Sequence, residues 1–548
     1  MTVSSRAFAA MLGVGPALTR EVTVQRDVPV RAPDGADLLT DVYWSGGRDP
    51  LPVILMRTPY GRRAPYGAIA RLFAERGYHA VLQSTRGTFG SGGQTDYNRE
   101  AADGRAAADW VVDQPWCNGE IGGFGGSYLT FTQLALASTR PPQLKAMALG
   151  VWGAQRRALY YPGGAFSLDR LGWAFVIENQ ERRPLAFVRT ALRSRRALAP
   201  ALAHLPLLDA DTVAVGHPIG YYREWLRHDQ PGDPYWTITD YRPMLPDLGI
   251  PVTMIGGWYD MSLPSMLADY QALRDGGQNV RLRVGAWHHT SQDLFRHSFR
   301  DALDWFGAHL LGGPAPSWSG VTIETMGGGG WHSPRQWPPA ASIQRWHLQP
   351  HGALATPEPP ASEPTRYTYD PADPTPAVGG TSSSPSNSGP KDNRELERRP
   401  DVLTFTSEPL RSALEITGPV TAELFVASSR PHTDFFARLC DVSEKGKSVN
   451  VTDGLIRLTS ATAQPQRVRV DLWPTAHRFL PGHRIRVQVS SGAHPRYARN
   501  TGSGEPLATA VTLCPAHQAV HHDQEHPSAI LLPVQTSGLR ETSHPVGI

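Results

Sequence analysis

A serine flanked by glycines, placed between a strand signal and a helix signal, constrains this chain more than any other feature. Gly125-Gly126-Ser127-Tyr128 follows a turn at Trp116-Cys117-Asn118-Gly119 and an apolar stretch at 121–124. It precedes Thr132-Gln133-Leu134-Ala135-Leu136-Ala137, a run of helix-forming composition. A nucleophilic serine needs such a tight strand-to-helix turn, because small neighbours let the backbone adopt strained dihedrals and hold the hydroxyl clear of bulk. A Gly-x-Ser alone also describes an ordinary turn, so the surrounding pattern must carry the reading.

That pattern alternates. Short β signals at 22–24, 28–30 and 38–43 lead to the apolar run 52–56, a buried strand. A helix over 66–76 ends at Gly77, followed by strand 79–83, helix 101–112 and strands at 121–124 and 146–149. This β-α-β rhythm predicts a doubly wound, mostly parallel sheet of the α/β type. Between 151 and 247 it gives way to aromatic and arginine-rich helical segments at 170–178, 185–198 and 221–227, which read as an inserted helical cap. The sheet pattern resumes at 251–256 and 280–284 and closes with a helix over 299–311. The catalytic domain is therefore expected over 1–150 and 248–313. Beyond it, short strands at 403–405, 420–426, 435–442, 455–458, 468–472, 485–490 and 530–533 predict an antiparallel β-sandwich over 314–548. The run 381–389 has too few apolar residues to pack and is expected to be mobile.

A chain of 548 residues exceeds what one hydrophobic core supports. Lys+Arg 53 against Asp+Glu 50 gives no electrostatic reason for nucleic acid or an anionic membrane as partner, and points to a small neutral or weakly charged substrate. A homodimer is left open. Cys117, Cys440 and Cys514 lack metal-site or disulfide spacing, so no metal is expected and a reducing compartment is. The apolar stretch 7–12 after Arg6 is too short for a secretory signal, and no run approaches the roughly 18 residues of a membrane span. The expected location is cytoplasmic.

A serine hydroxyl attacks well only when an imidazole takes its proton and a carboxylate orients that imidazole. In the chain order Ser, acid, His, the acid and base belong on loops after later strands, at the carboxyl edge of the sheet. Asp260 follows the strand at 251–256, and His289 follows the strand at 280–284. His288 stands beside it, and spacing does not decide which imidazole points inward.

Five segments together are similar to a known family. Thr85-Arg86-Gly87-Thr88-Phe89-Gly90-Ser91, Gln114-Pro115-Trp116-Cys117-Asn118-Gly119, Phe124-Gly125-Gly126-Ser127-Tyr128-Leu129, Gly257-Trp258-Tyr259-Asp260 and Gly285-Ala286-Trp287-His288-His289 resemble, in order, the cocaine esterase and X-Pro dipeptidyl-peptidase family of serine hydrolases. The likeness reaches Pro162-Gly163-Gly164-Ala165-Phe166-Ser167 and Leu171-Gly172-Trp173, where it is strongest to the cocaine esterase branch. It continues through Tyr369-Asp370-Pro371, Val378-Gly379-Gly380, Asp401-Val402-Leu403 and Thr452-Asp453-Gly454. The resemblance implies an α/β-hydrolase domain, a helical cap and a C-terminal jelly roll. It also implies Ser127 as nucleophile, His289 as base, Asp260 as its acid, and an oxyanion hole of the Tyr60 hydroxyl with the Tyr128 backbone N–H.

The expected reaction is two-step hydrolysis of a carboxylic ester, or an amide, through an acyl-enzyme, with no cofactor. Tyr160, Tyr161, Phe166 and Trp173 in the cap are candidate pocket walls, although aromatics in a helical insertion also form its core. The chain departs from the family pattern at Thr130, Ser262 and Ser84, where glycine, an aromatic and aspartate are usual. Three other readings compete: a biosynthetic acyltransferase or cyclase using the same acyl-enzyme, an X-Pro dipeptidyl-peptidase-like peptidase, and a binding protein that has lost turnover.

Overall fold

The computed structural model describes residues 3–46, 49–181, 198–382, 384 and 386–535. The strands β1 (Val22–Arg31), β2 (Asp37–Ser45), β3 (Leu51–Thr58), β4 (His79–Ser84), β5 (Cys117–Gly126), β6 (Leu144–Gly150), β7 (Val252–Tyr259), β8 (Val280–His288), β9 (Val321–Thr325) and β10 (Gly330–His332) form one sheet in the order β1-β2-β4-β3-β5-β6-β7-β8-β9-β10. Pairing is parallel from β4 through β9 and antiparallel at both edges. The signals at 22–24 and 28–30 are one strand, β1, whose register shifts between Gln25 and Val28.

Side chains alternate faces along a strand, and β3 shows what each face meets. Ile54 and Met56 join Phe73, Phe299 and Phe306 from the helices Tyr66–Ala74 and Gln292–Leu310. Val53 and Leu55 join Val111, Leu134 and Leu267 from the helices Glu100–Val112, Tyr128–Ser138 and Leu263–Asp275. Both faces are covered, which is why the central strands read as continuous apolar runs. The stretch 7–12 belongs to a helix, Val3–Leu12, that buries Ala9 and Leu12 in the first of these clusters and hydrogen-bonds its Met11 carbonyl to Arg296 (3.0 Å). No helix among the described residues is long and apolar enough to cross a membrane.

The sheet runs past the expected boundary at 313. β9 lies parallel to β8, and β10 pairs antiparallel with β9, because two further strands cap the exposed edge before the chain leaves for the second domain.

Between β6 and β7 the cap carries the helices Arg156–Tyr160, Asp169–Asn179, Ala210–Val215 and Gly220–Arg227. The expected helix at 185–198 lies almost wholly outside the described residues.

The remaining strands form the sandwich. The expected seven are present, with the longest, Leu414–Ser428, paired antiparallel to Gln466–Phe479. Strands at Ser342–Gln349, Ala353–Ala355, Thr365–Tyr369 and Ala516–His521 complete the ladder and lack a sufficient apolar alternation to be read in advance. The sandwich grips the other two parts: Ser167 of the cap bridges Tyr497, the Leu168 N–H donates to the Arg496 carbonyl (3.1 Å), and the Tyr259 hydroxyl donates to the Asn450 carbonyl (3.4 Å). In the stretch 381–389, expected to be mobile, the described residues near its two ends are tied down by hydrogen bonds. Gly380 and Gly389 exchange backbone bonds of 2.9 Å, and Asn387 donates to the Ala377 carbonyl (3.0 Å) and accepts from the Gly379 N–H (3.1 Å).

Candidate active site

Ser127 sits where β5 ends and the helix Tyr128–Ser138 begins, with φ 57° and ψ −127°. A non-glycine residue rarely adopts positive φ, and this strain turns the side chain out of the sheet toward the cap. The turn is held by the Ser127 N–H donating to the Gly150 carbonyl at the end of β6 (2.8 Å). Gly125, at φ 138°, cannot carry a side chain, since a Cβ there would lie 2.5 Å from that of Leu129.

Thr130, one of the departures from the family pattern, explains itself at this point. Its hydroxyl lies 2.8 Å from the Gly125 carbonyl and 2.9 Å from that of Gly150, and accepts from the Gly150 N–H (2.9 Å). A side chain where glycine is usual pins the elbow to two strands. Ser84 accepts from Arg62, and Ser262 is fully buried, with its backbone N–H donating to Asp260 Oδ1 (2.8 Å).

Asp260 follows β7 and is 1% exposed. Its Oδ2 lies 2.6 Å from His289 Nδ1, and His289 Nε2 lies 3.1 Å from Ser127 Oγ. A buried carboxylate therefore fixes the imidazole with Nδ1 protonated, leaving Nε2 to accept the serine proton. His288, the alternative base, turns away and its Nδ1 accepts from the Thr290 hydroxyl (3.2 Å). Burial and the neighbouring His289 hold His288 below the usual histidine pKa.

Tyr60 lies just after β3, its ring stacked on Tyr66 at 5.9 Å. Its hydroxyl accepts from the Trp173 indole (2.9 Å) and is a hydrogen-bonding neighbour of the Ser127 side chain. Burial pushes the phenol above its ordinary pKa, so it stays protonated and can donate at neutral pH. Tyr128 opens the helix after the elbow, where first-turn N–H groups have no partner within the helix. Its side chain is a strut: the hydroxyl donates to Glu100 Oε1 (2.7 Å), and Arg57 donates to Glu100 Oε2 (2.7 Å).

Ser127 and His289 open into a cavity of about 430 Å3. Of the four cap aromatics, Tyr160 and Trp173 line it. Trp173 also stacks on Tyr128 (5.9 Å, 6° between planes) while holding Tyr60, so it touches both candidate oxyanion donors. Tyr161 and Phe166 do not line it. Tyr161 donates to the Trp225 carbonyl (2.7 Å), and Phe166, with no exposed surface, packs on Tyr161 and Tyr222 in the core of the cap. Sequence reasoning missed Trp152, Arg170 and Met261 in the wall, together with Ser382, Asn387 and Arg496 from the sandwich. Arginines next to aromatics in the cap were a visible signal; the sandwich residues gave none.

The model of the X-Pro dipeptidyl-peptidase (S15) family matches residues 34–291, and that of the X-Pro dipeptidyl-peptidase C-terminal non-catalytic domain matches 317–531. Cocaine esterase from Rhodococcus sp. (strain MB1 Bresler) is 32% identical over 570 aligned positions, covering 92% of this chain and 97% of that protein. This chain belongs to the S15 family of serine hydrolases. The fold is shared with solved structures over nearly the whole chain. An alpha-amino acid ester hydrolase superposes with a TM-score of 0.79 at 23% identity, covering 95% of this chain and 98% of that one. An aminopeptidase from a marine sediment Thaumarchaeota archaeon gives 0.80 at 22% identity, covering 95% and 99%. Within the S15 family, this protein is an ester-cleaving serine hydrolase.

Proposed function

We propose that Ser127, His289 and Asp260 are the catalytic triad and that the protein hydrolyses carboxylic esters of small organic molecules through an acyl-enzyme. Ser127 Oγ attacks the carbonyl carbon as His289 Nε2 takes its proton, and Asp260 stabilises the imidazolium. The oxyanion is met by the Tyr60 hydroxyl and the Tyr128 backbone N–H. Collapse expels the alcohol, protonated by His289, and water activated by the same imidazole releases the acid. The observation that carries this reading is the continuous chain Ser127 Oγ, His289 Nε2, His289 Nδ1, Asp260 Oδ2 at 3.1 and 2.6 Å.

Ester cleavage stays ahead of the dipeptidyl-peptidase reading on the charge of the cavity. A peptidase that holds a substrate amine needs placed carboxylates. Among the described residues lining this cavity, Asp169 is the single carboxylate, against Arg170 and Arg496. The test is a panel of chromogenic esters and amides of graded acyl length, with Ser127→Ala as control. Turnover of esters well above amides, abolished in the variant, is the expected result; equal amide turnover or an active variant overturns it. We also place the protein in a reducing cytoplasm, on the three cysteines, all free.

A further inference from the structure

Arg170 is an arginine in the wrong surroundings. It stands in the first turn of the cap helix Asp169–Asn179, is 5% exposed, and lines the cavity that holds Ser127 and His289. Its neighbours are aromatic and apolar. The guanidinium carbon lies 4.8 Å from the Tyr160 ring centroid and 5.8 Å from that of Trp152, and Nη2 donates to the Met261 sulfur (3.1 Å). Its Nε is buried with no hydrogen-bond partner. Among the described residues no carboxylate forms an ion pair with it.

The other cavity cations are accounted for. Arg496 is held by Asp453, with Asp169 adding to the field on it, and Asp453 also takes Arg438. Burial brings His494 down to about 4, so it is neutral at working pH. Arg170 is thus a buried cation whose strongest neighbours are ring faces and a thioether, weak substitutes for a counter-ion. A desolvated guanidinium beside a reactive serine, with donors to spare, is the group that binds a carboxylate through charge-assisted hydrogen bonds.

We propose that Arg170 recognises a carboxylate carried by the substrate, so that the preferred substrates are monoesters in which a free carboxylate lies a few atoms from the scissile carbonyl. This rests on the esterase reading above and narrows the expected neutral or weakly charged substrate to an anionic one. Arg170 acts in specificity, and the bond-breaking steps remain those of Ser127 and His289.

The experiment compares matched ester pairs with wild type, Arg170→Met and Arg170→Lys. One arm places the carboxylate on the acyl side: aryl monoesters of five-, six- and seven-carbon dicarboxylic acids against isosteric branched-alkyl esters. The other places it on the leaving group: the butyrate ester of 4-hydroxybenzoic acid against that of 4-methylphenol. Neutral esters with Ser127→Ala test the esterase reading separately. In at least one arm the anionic ester should have the higher kcat/KM with wild type, Arg170→Met should lose about 100-fold on it and less than about threefold on its neutral partner, and Arg170→Lys should recover part of the difference. Neutral esters preferred in both arms, or both members of each pair falling equally in Arg170→Met, overturns the proposal and leaves Arg170 a packing residue.

Discussion

The two halves of the active site are built in opposite ways. The proposed catalytic half comes from the ends of β5, β7 and β8, parallel strands of one sheet that deliver Ser127, Asp260 and His289 to one edge. The binding half is assembled from the cap and the sandwich: Tyr160, Arg170 and Trp173 from one, Ser382, Asn387 and Arg496 from the other. The first has strain, buried hydrogen bonds and short distances; the second has aromatic faces, polar loop residues and a buried cation with no ion pair among the described residues. Chemistry is fixed by rigid strand ends, whereas recognition is left to surfaces that vary without disturbing the triad.

Substitutions should break the two halves differently. The largest effect is expected in the catalytic half: Ser127→Ala and His289→Ala should each lower kcat by roughly 10,000-fold or more, since triad members act as a unit. His288→Ala should stay within about threefold in steady-state assays, because its ring turns toward Thr290. Next, Tyr60→Phe should cost on the order of 100-fold in kcat with KM nearly unchanged, as loss of one oxyanion donor does. Trp173→Phe should show a weaker version of the same kcat loss, because it keeps an aromatic ring but removes the indole N–H that positions the Tyr60 hydroxyl.

The binding half predicts a change of preference. Asn387→Ala should alter the ranking of acyl chain lengths by about 2- to 10-fold in kcat/KM while leaving the smallest ester unaffected. If it instead lowers turnover of every ester alike, the division between halves fails.

The smallest effects are on stability. Thr130→Val keeps the branched shape but leaves the Gly150 N–H without its acceptor, which should cost about 1–3 kcal/mol by denaturant titration. Asp269, fully buried with one oxygen accepting from the Ala154 N–H (2.6 Å) and the other without a partner, is pushed up to about 8 by burial. A carboxyl raised in the folded state binds protons more tightly there, so its favourable contribution is complete below its ordinary value near 4 and fades as pH rises through about 8. Melting temperatures of Asp269→Asn should therefore gain most over wild type near pH 8 and least near pH 4.

The convergence of Ser127, Asp260 and His289 was legible in the sequence because its requirements are local: glycines at the elbow, Asp260 just after β7, His289 just after β8. Which histidine faces Ser127 was not, since the Thr290 hydrogen bond that turns His288 away is a matter of rotamer. In the cap, periodicity gave helices without saying which faces meet, so Tyr161 and Phe166 could not be told from Tyr160 and Trp173. The sandwich side of the cavity was hidden because Ser382 and Asn387 lie in a polar loop whose order comes from hydrogen bonds that close on folding. The two strands that extend the sheet past 313 were not legible because β9 and β10 are short and follow a helix that looked final.

The central claim is that Ser127 is the one activated nucleophile, primed by His289. Labelling with a fluorophosphonate probe, read by intact mass and peptide mapping, tests it directly. One label per chain on the peptide containing Ser127, absent in Ser127→Ala and strongly slowed in His289→Ala but not in His288→Ala, is the predicted result. Labelling elsewhere, or a folded wild-type protein that takes no label, would contradict it.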